Sequence, residues 1–385
     1  MNRFYKNVSK IKLKPKNKLS WILVLVIFIS CKDSSTGSES TDDESNVPSA
    51  AQIIEEMGAG FNLGNTFDNG ANSTTFENIA PIVVLYERAG MKHIRIPTTW
   101  FEGFGGNSLA NEEGEVNFEH PRFLELKKVI DFALDRDLYV VLNAHHEREF
   151  KENYNGSDEF DDKFATLWRD IATYFKDYDY HLIFELLNEP EGAFGTWGGT
   201  VSPTNPVGIA LTRNIMEVGV DAIRATGGNN IKRVVMIATN GQGNQGQIDD
   251  VYPNKDALPG DGEDAYISIQ VHTYDPWSFC GQTGDNSNFP GTEEIENRLR
   301  SVAAHGRTLG VPINYGEYGV GRNGNQSQRN TALVRGYYKT IVRVARDEKM
   351  STSVWDDRGW FGLVSGNTQS GYDFIYNIVS TMLEE

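Results

Sequence analysis

Two glutamates stand at the ends of apolar runs far apart in the chain: Glu189 in LIFELLNEPEG (182–192) and Glu317 in VPINYGEYG (311–319). Two carboxyl groups held about 5 to 5.5 Å apart are the equipment of retaining glycoside hydrolysis, one acting as nucleophile and the other as general acid and base. Such proximity also splits their titration, because the second proton is harder to lose beside an existing charge. Other chemistry-bearing residues close similar runs. Asn65 follows GFNLG, Arg95 lies in KHIRIP, and His145, His146 and Glu147 follow YVVLNA. Asn188 precedes Glu189, His272 and Tyr274 close YISIQVHTY, and Trp355 and Asp356 close TSVWDD. Each residue alone has a structural explanation: a buried ion pair, a satisfied core histidine, a packing tryptophan. Their recurrence at the same end of successive runs points to one site. Pro190 cannot donate to a ladder, so pairing stops there and the chain turns. Glu185, inside the same run, is expected to be a buried structural carboxylate with hydrogen-bond partners, since an unpaired one would cost several kcal/mol.

The elements that must position these residues can be read from pattern. Eight short apolar runs recur at 60–64, 92–97, 139–144, 181–190, 233–240, 266–272, 311–319 and 352–357. Between them lie stretches with apolar residues at spacings of three and four, such as FENIAPIVVLYERAG, which Gly90 stops, PRFLELKKVIDFALDR, which Pro121 opens, and TALVRGYYKTIVRVARDEK. Short buried strands alternating with helices predict a parallel sheet, and eight such units close into a single α/β (β/α)8 TIM barrel. An open doubly wound sheet is the competing architecture, but GFNLGNTFDN lacks the GxGxxG spacing of its phosphate loop. In a barrel the carboxyl ends of the strands face the active-site mouth, where the residues above are concentrated. The irregular stretch 241–262 is expected at that mouth.

The 385 residues carry 36 basic against 53 acidic side chains, a net charge of −17. Seven of the basic ones, Arg3, Lys6, Lys10, Lys12, Lys14, Lys16 and Lys18, precede the apolar run LSWILVLVIFIS and Cys31. The apolar core of that leader, 19–29, is shorter than the roughly 20 residues a spanning helix needs. Residues 1–30 therefore predict a secretory signal of the bacterial lipoprotein type, with Cys31 lipidated, and the polar stretch 31–49 predicts a flexible acidic linker. Residues 50–385 remain for one catalytic domain. The expected location follows: export across the inner membrane and lipid anchoring at the cell envelope or surface of a bacterium. A body this acidic is repelled by nucleic acid and anionic lipid, so a neutral or cationic partner fits, with membrane contact only through the anchor. With Cys31 lipidated, Cys280 has no partner for a disulfide. A monomer is expected.

GFNLGNTFDN, HIRIPTTW, VVLNAHHE, LIFELLNEP, VHTYDPW, INYGEYG and VWDD together resemble the glycoside hydrolase family 5 endoglucanases of clan A, in order and spacing, over almost all of residues 50–385. The opening LGNTFDN, the HHE triplet and TGGNN (226–230) are most similar to the branch containing cellulases, xyloglucanases and mixed-linkage glucanases. The resemblance implies a retaining endo-β-1,4-glucanase acting on plant cell-wall β-glucan, with Glu189 as acid and base and Glu317 as nucleophile. It implies that Arg95 and Tyr274 hold Glu317 ionised, that Asn188 binds the sugar 2-hydroxyl, and that His145 and His272 fix hydroxyls and the acid and base group. His146 and Asn65 join the supporting set, and Trp355 becomes the floor beneath the cleaved sugar. Trp100, Trp197, Trp277 and Trp360 are candidate further sugar platforms. No metal or cofactor is implied. Tyr318 stands where many members have phenylalanine, and DDRGWFGLVSGN, with Arg358 and Trp360, lies where substrate choice is often shaped. Endo-β-mannanase is therefore an alternative specificity. From other classes come a surface lipoprotein that binds polysaccharide without cleaving it, and a metal-dependent hydrolase using His145, His146, Glu147 and Asp68. The last lacks an HExxH helix.

Overall fold

Eight short strands, buried at nearly every position, decide the architecture. In the computed structural model, which describes residues 47–104, 107–324 and 326–384, the strands are β1 (Ala59–Asn62), β2 (His93–Ile96), β3 (Tyr139–Asn143), β4 (Leu182–Glu185), β5 (Val235–Ala238), β6 (Ile267–Thr273), β7 (Ile313–Tyr318) and β8 (Ser351–Val354). All pair in parallel with their sequence neighbours, and β1 closes on β8, Phe61 opposite Val354. Every run predicted as a strand is one, and the ring closes as a (β/α)8 barrel. The described residues fall in one compact unit, Asn46–Glu385. The predicted signal, Cys31 and linker up to residue 46 lie outside the described residues.

On β3, β4 and β5 the apolar side chains divide between two clusters. Ile94, Ile96, Val140, Leu142, Leu182, Phe184, Val235 and Ile237 join the large cluster shared with the surrounding helices. Tyr139, Val141, Ile183, Val234 and Met236 alternate with them and join a second cluster inside the barrel. That inner cluster is closed by Ile53, Ile54 and Met57 of the helix Ala50–Met57. The helix starts in a capping box, with Ser49 Oγ accepting from the Gln52 amide and the Gln52 side chain accepting from the Ser49 amide. The apolar residues of LIFELLNEP thus serve mainly the layer between barrel and helices, where Phe184 packs on Trp168. Its inward positions are Ile183 and Glu185.

Helices Phe76–Ala89, Pro121–Leu134, Asp158–Tyr174, Pro206–Arg224, Thr292–Leu309 and Ala332–Asp347 form the outer layer. Gly90, left-handed at φ 101°, ends the first, and Pro121 opens the second at its first turn. The ring departs from regularity after β5. There the stretch 241–262 supplies only short turns, Asn240–Gly243, Gln245–Gln247, Ile248–Val251, Lys255–Ala257 and Pro259–Gly262, before β6. Its start lines the mouth, as expected. An antiparallel hairpin, β9 (Val364–Asn367) with β10 (Gly371–Phe374), follows β8 and was not foreseen from pattern.

Candidate active site

Above the apolar plug the barrel interior turns polar, and one guanidinium organises it. Arg95 is fully buried on β2 and donates from Nε and Nη2 to the two oxygens of Glu185, at 2.6 and 2.7 Å. Nη1 donates to Asn62 Oδ1 (2.7 Å) and Glu317 Oε1 (2.8 Å), and Nη2 also reaches Asn188 Oδ1 (2.6 Å). The bidentate fork of Arg95 is therefore spent on Glu185, and Glu317 receives a single guanidinium N–H. Glu185 is structural, as anticipated: burial pushes its carboxyl up, but Arg95, with help from Asn143, holds it below the ordinary range. Asn143 Nδ2 adds a 3.0 Å bond to it.

Glu317 reaches the site because β6 and β7 slip past each other. Val271 pairs with Tyr315, but His272 pairs with Glu317, leaving Gly316 as the extra residue of a bulge. Gly316 is required there by packing, since a Cβ would lie 1.9 Å from Gln270 Nε2. Its carbonyl accepts from Asn62 Nδ2 at 2.9 Å. Tyr274 OH donates to Glu317 Oε2 at 3.0 Å, and burial followed by the Glu317 charge raises the phenol well above its usual range, so it stays a donor.

Glu189 comes from the other side of the mouth. It sits just beyond β4 in the left-handed region at φ 46°, a conformation that costs a non-glycine residue energy and is held by the surrounding structure. The Asn188 amide donates to the Ala144 carbonyl at 2.8 Å, which fixes this end of the strand. His272 Nδ1 lies 2.8 Å from Glu189 Oε1 and 3.9 Å from Glu317 Oε2. One oxygen of each glutamate and one ring nitrogen of His272 lie within 4.8 Å of one another. The Glu317 side chain is 7% exposed and that of Glu189 27%. Burial raises the Glu317 carboxyl, opposed by His272 and Arg95 and reinforced by the Glu189 charge. Burial also pushes Glu189 up, but the hydrogen bond from His272, then Lys151 and Arg95, bring it below the ordinary range.

The carboxylates open onto a cleft of about 1000 Å³ whose lining includes His145, His146, Tyr274, Trp355, Trp197 and Trp277. Trp355 stacks parallel to His145 at 5.9 Å between ring centroids. His145 is neutral, pushed well below the ordinary histidine range by burial and then by His146 and Arg95. Its Nδ1 lies 3.2 Å from Asn143 Nδ2, a donor, because Asn143 Oδ1 is committed to the Thr98 amide. Nδ1 therefore accepts and Nε2 carries the proton. The group nearest Nε2, Asn188 Nδ2 at 3.5 Å, is also a donor. The Nε2–H is left for a hydroxyl in the cleft.

The comparisons with known proteins bear on this arrangement. The model of "Cellulase (glycosyl hydrolase family 5)" matches residues 55–358. The chain belongs to that family. It is 33% identical over 356 residues to Endoglucanase A of Clostridium longisporum, covering 84% of this chain and 64% of that protein, so it spans a little under two thirds of that relative's length. A solved family 5 broad-specificity endoglucanase from Clostridium longisporum superposes with a TM-score of 0.71 at 27% identity, covering 88% of this chain and 98% of the other. The cellotriose complex of ZgEngAGH5_4 gives 0.71 at 25% identity, covering 88% and 99%.

Within this family 5 chain, most of the residues proposed from sequence converge on the cleft, and several do not. Asn65 sits in a left-handed turn at φ 55° with Oδ1 accepting from Asn69 Nδ2, and it does not line the cleft. The β1 asparagine that reaches Arg95 is Asn62, whose inward position period-two counting from Gly60 identifies. Asp356 turns from the mouth: it accepts from Tyr86 OH at 2.6 Å and from the Arg358 and Leu363 amides, latching the loop after β8. Trp100 is 0% exposed, donates Nε1–H to the Asn143 carbonyl and is no platform. Trp197 and Trp277, each 53% exposed, are placed as platforms would be, whereas Trp360 is exposed but does not line the cleft. Of the four residues of the metal-site alternative, Asp68, His145 and His146 approach one another, ligand atoms within 4.8 Å. Glu147 turns away to accept the Trp100 and Phe101 amides at 2.6 and 2.9 Å. Lys151, 1% exposed with Nζ on the His145 carbonyl at 3.0 Å, and Gln270 escaped notice.

Proposed function

We propose that the chain is a retaining endo-β-1,4-glucanase that cleaves plant cell-wall β-glucan by double displacement. The observation that carries this reading is the approach of Glu189 and Glu317 oxygens to within 4.8 Å across the mouth. That spacing suits a direct attack on sugar carbon better than the wider gap of about 6.5–9.5 Å that leaves room for an activated water. Glu317 attacks the anomeric carbon while Glu189 protonates the leaving oxygen; Glu189 then takes a proton from the water that breaks the glycosyl-enzyme ester. The Arg95 and Tyr274 donors to Glu317 stabilise its ionised form. In the empty cleft Glu189 is the lower-titrating of the two. A bound glucan displaces water from its more exposed side chain and raises it toward the protonated form an acid needs. Asn188, fixed by Arg95, is placed for the sugar 2-hydroxyl, His145 Nε2–H for a second hydroxyl, and Trp355 for the apolar sugar face.

The polymer class rests on the relatives: an endoglucanase, a broad-specificity endoglucanase and an enzyme solved with cellotriose. The deciding experiment follows the anomeric proton by NMR during hydrolysis of soluble cellulose, xyloglucan, mixed-linkage glucan and mannan. The expected first product is the β-anomer from one or more of the glucans. Early α-anomer would end the double-displacement mechanism, and release from mannan alone would replace the substrate class.

The proposal includes the location read from the leader, a lipid anchor on Cys31. Expression of full-length protein and a Cys31→Ala variant in a bacterial host should move activity from the membrane fraction to the soluble one; identical fractionation would remove the anchor.

A further inference from the structure

The proton economy of the site poses a question that the two glutamates do not answer. Glu189 must be protonated to act as acid, yet in the empty cleft His272 donates to it. What His272 can do with a further proton is decided at its other nitrogen. His272 Nε2 lies 2.7 Å from Gln270 Nε2, a donor. Gln270 is 0% exposed, and its Oε1 is buried without a hydrogen-bond partner among the described residues. The amide is held by packing, with its Nε2 against Gly316 at the β7 bulge, where even one Cβ has no room. A buried carbonyl left unpaired beside a histidine is costly, and an amide has two orientations that differ by half a turn.

We propose that Gln270 is a positioning residue that sets how many protons the Glu189–His272 pair holds. As found, the amide donates to Nε2, so that nitrogen is bare and the ring proton sits on Nδ1, directed at Glu189 Oε1: one proton on the pair. Turned over, the amide presents the now unpaired Oε1 to an Nε2–H, and the pair holds two protons, with the one between Nδ1 and Oε1 available to the glycosidic oxygen. The change adds one H⁺ from cleft water, makes one N–H bond and needs no other reactant. The inference rests on the roles proposed above for Glu189 and Glu317.

Other charged groups face the pair, and all are common to both states. Glu317 Oε2 is 3.9 Å from His272 Nδ1. Arg95 on β2 and Lys151 act on Glu189, while His145 after β3 and Glu185 on β4 act electrostatically with His272. From the β5 side the backbone of Gly243 approaches the ring, where a Cβ would be 3.3 Å away, and uncharged Asn244 bridges to the His272 backbone. Among these partners Gln270 alone touches Nε2, and it alone can answer a change there.

The test reads the alkaline limb of kcat/KM on a β-glucan, where the acid proton is lost. Gln270→Glu supplies an acceptor only, favours the two-proton state and should move the limb up by about one pH unit, a tenfold gain in relative activity at a fixed pH on that limb. Gln270→Met supplies neither donor nor acceptor and should move it down, because a buried Nε2–H is left unpaired. Neither variant should alter the limb for an aryl glycoside whose leaving group needs no proton. An unmoved limb in folded variants, or equal shifts with both substrates, overturns the proposal. Should neither variant fold, ¹⁵N NMR of the histidines in the native protein decides: protonated Nδ1 with bare Nε2 in the empty enzyme supports it, and the reverse tautomer overturns it. Full activity of Glu189→Gln on a substrate with a poor leaving group would instead strike the underlying assignment of Glu189.

Discussion

Replacing Glu317 with Gln is expected to lower kcat on a soluble β-glucan by about 10⁵-fold while leaving the affinity for cellotriose within a few-fold of the native value. The substitution changes two atoms' chemistry and little of their surroundings. An amide oxygen can still accept from Arg95 Nη1, now 2.8 Å from Glu317 Oε1, and the amide nitrogen can donate to the Tyr274 oxygen, now 3.0 Å from Oε2. Trp355 and His145, which line the cleft, are untouched. What disappears is the electron pair that forms the glycosyl ester and the charge that stabilises the oxocarbenium-like transition state. Calorimetric titration with cellotriose beside a reducing-sugar assay separates the two effects. Residual activity above about a tenth of native would be far too high for loss of a nucleophile and would remove Glu317 from that role. The same pair of measurements on the native protein decides against the alternative of a surface protein that binds polysaccharide without cutting it, which predicts binding and no sugar release from either form.

How much of this could be read from the chain depends on whether a residue's direction is set locally. Strand interiors alternate with period two, so the eight runs and the inward course of Arg95, Glu185 and His272 follow from pattern. Strand ends escape that rule. Asn65 sits in a turn whose left-handed backbone redirects it, and Asn62, three residues earlier, takes the place beside Arg95. The placement of Glu317 opposite His272 depends on a bulge at Gly316, a register slip between strands that neither strand's sequence declares. Gln270 looks like one more polar residue in an apolar strand until Gly316 is seen pressed against it. Partner choice was likewise hidden: guanidinium chemistry announces that Arg95 will bind carboxylates, but Glu185 and Glu317 both lie within its reach, and only geometry shows that the fork goes to Glu185. The tryptophans show the same limit, since Trp100 and Trp277 both lie in loops that follow strands, yet one is fully buried and the other stands half exposed at the cleft.

That division of Arg95 between two acids makes it the residue whose loss should cost the fold most. Arg95 and Glu185 are both 0% exposed, and no other cation bonds to Glu185 among the described residues. Arg95→Ala should therefore reduce stability at pH 7 by about 3–5 kcal/mol, the cost of stranding a buried charge rather than the net value of the pair. The sign with pH follows from Glu185. In the native protein Arg95 holds that carboxyl below its ordinary range despite burial, so its contribution is present above the unfolded carboxylate range and fades as pH falls through the depressed folded value. In the variant burial acts alone and raises the carboxyl above the unfolded value, so folding takes up a proton and the variant is relatively better off in acid. The gap between native and variant, measured by urea unfolding, should shrink steadily from pH 7 toward pH 4. A gap that is the same at both ends would mean that the lost stability comes from packing around the arginine stem and not from the stranded carboxylate. A gap under 1 kcal/mol at pH 7 would show that water reaches Glu185 once the guanidinium is gone, and the polar interior would then be far less sealed than its burial implies.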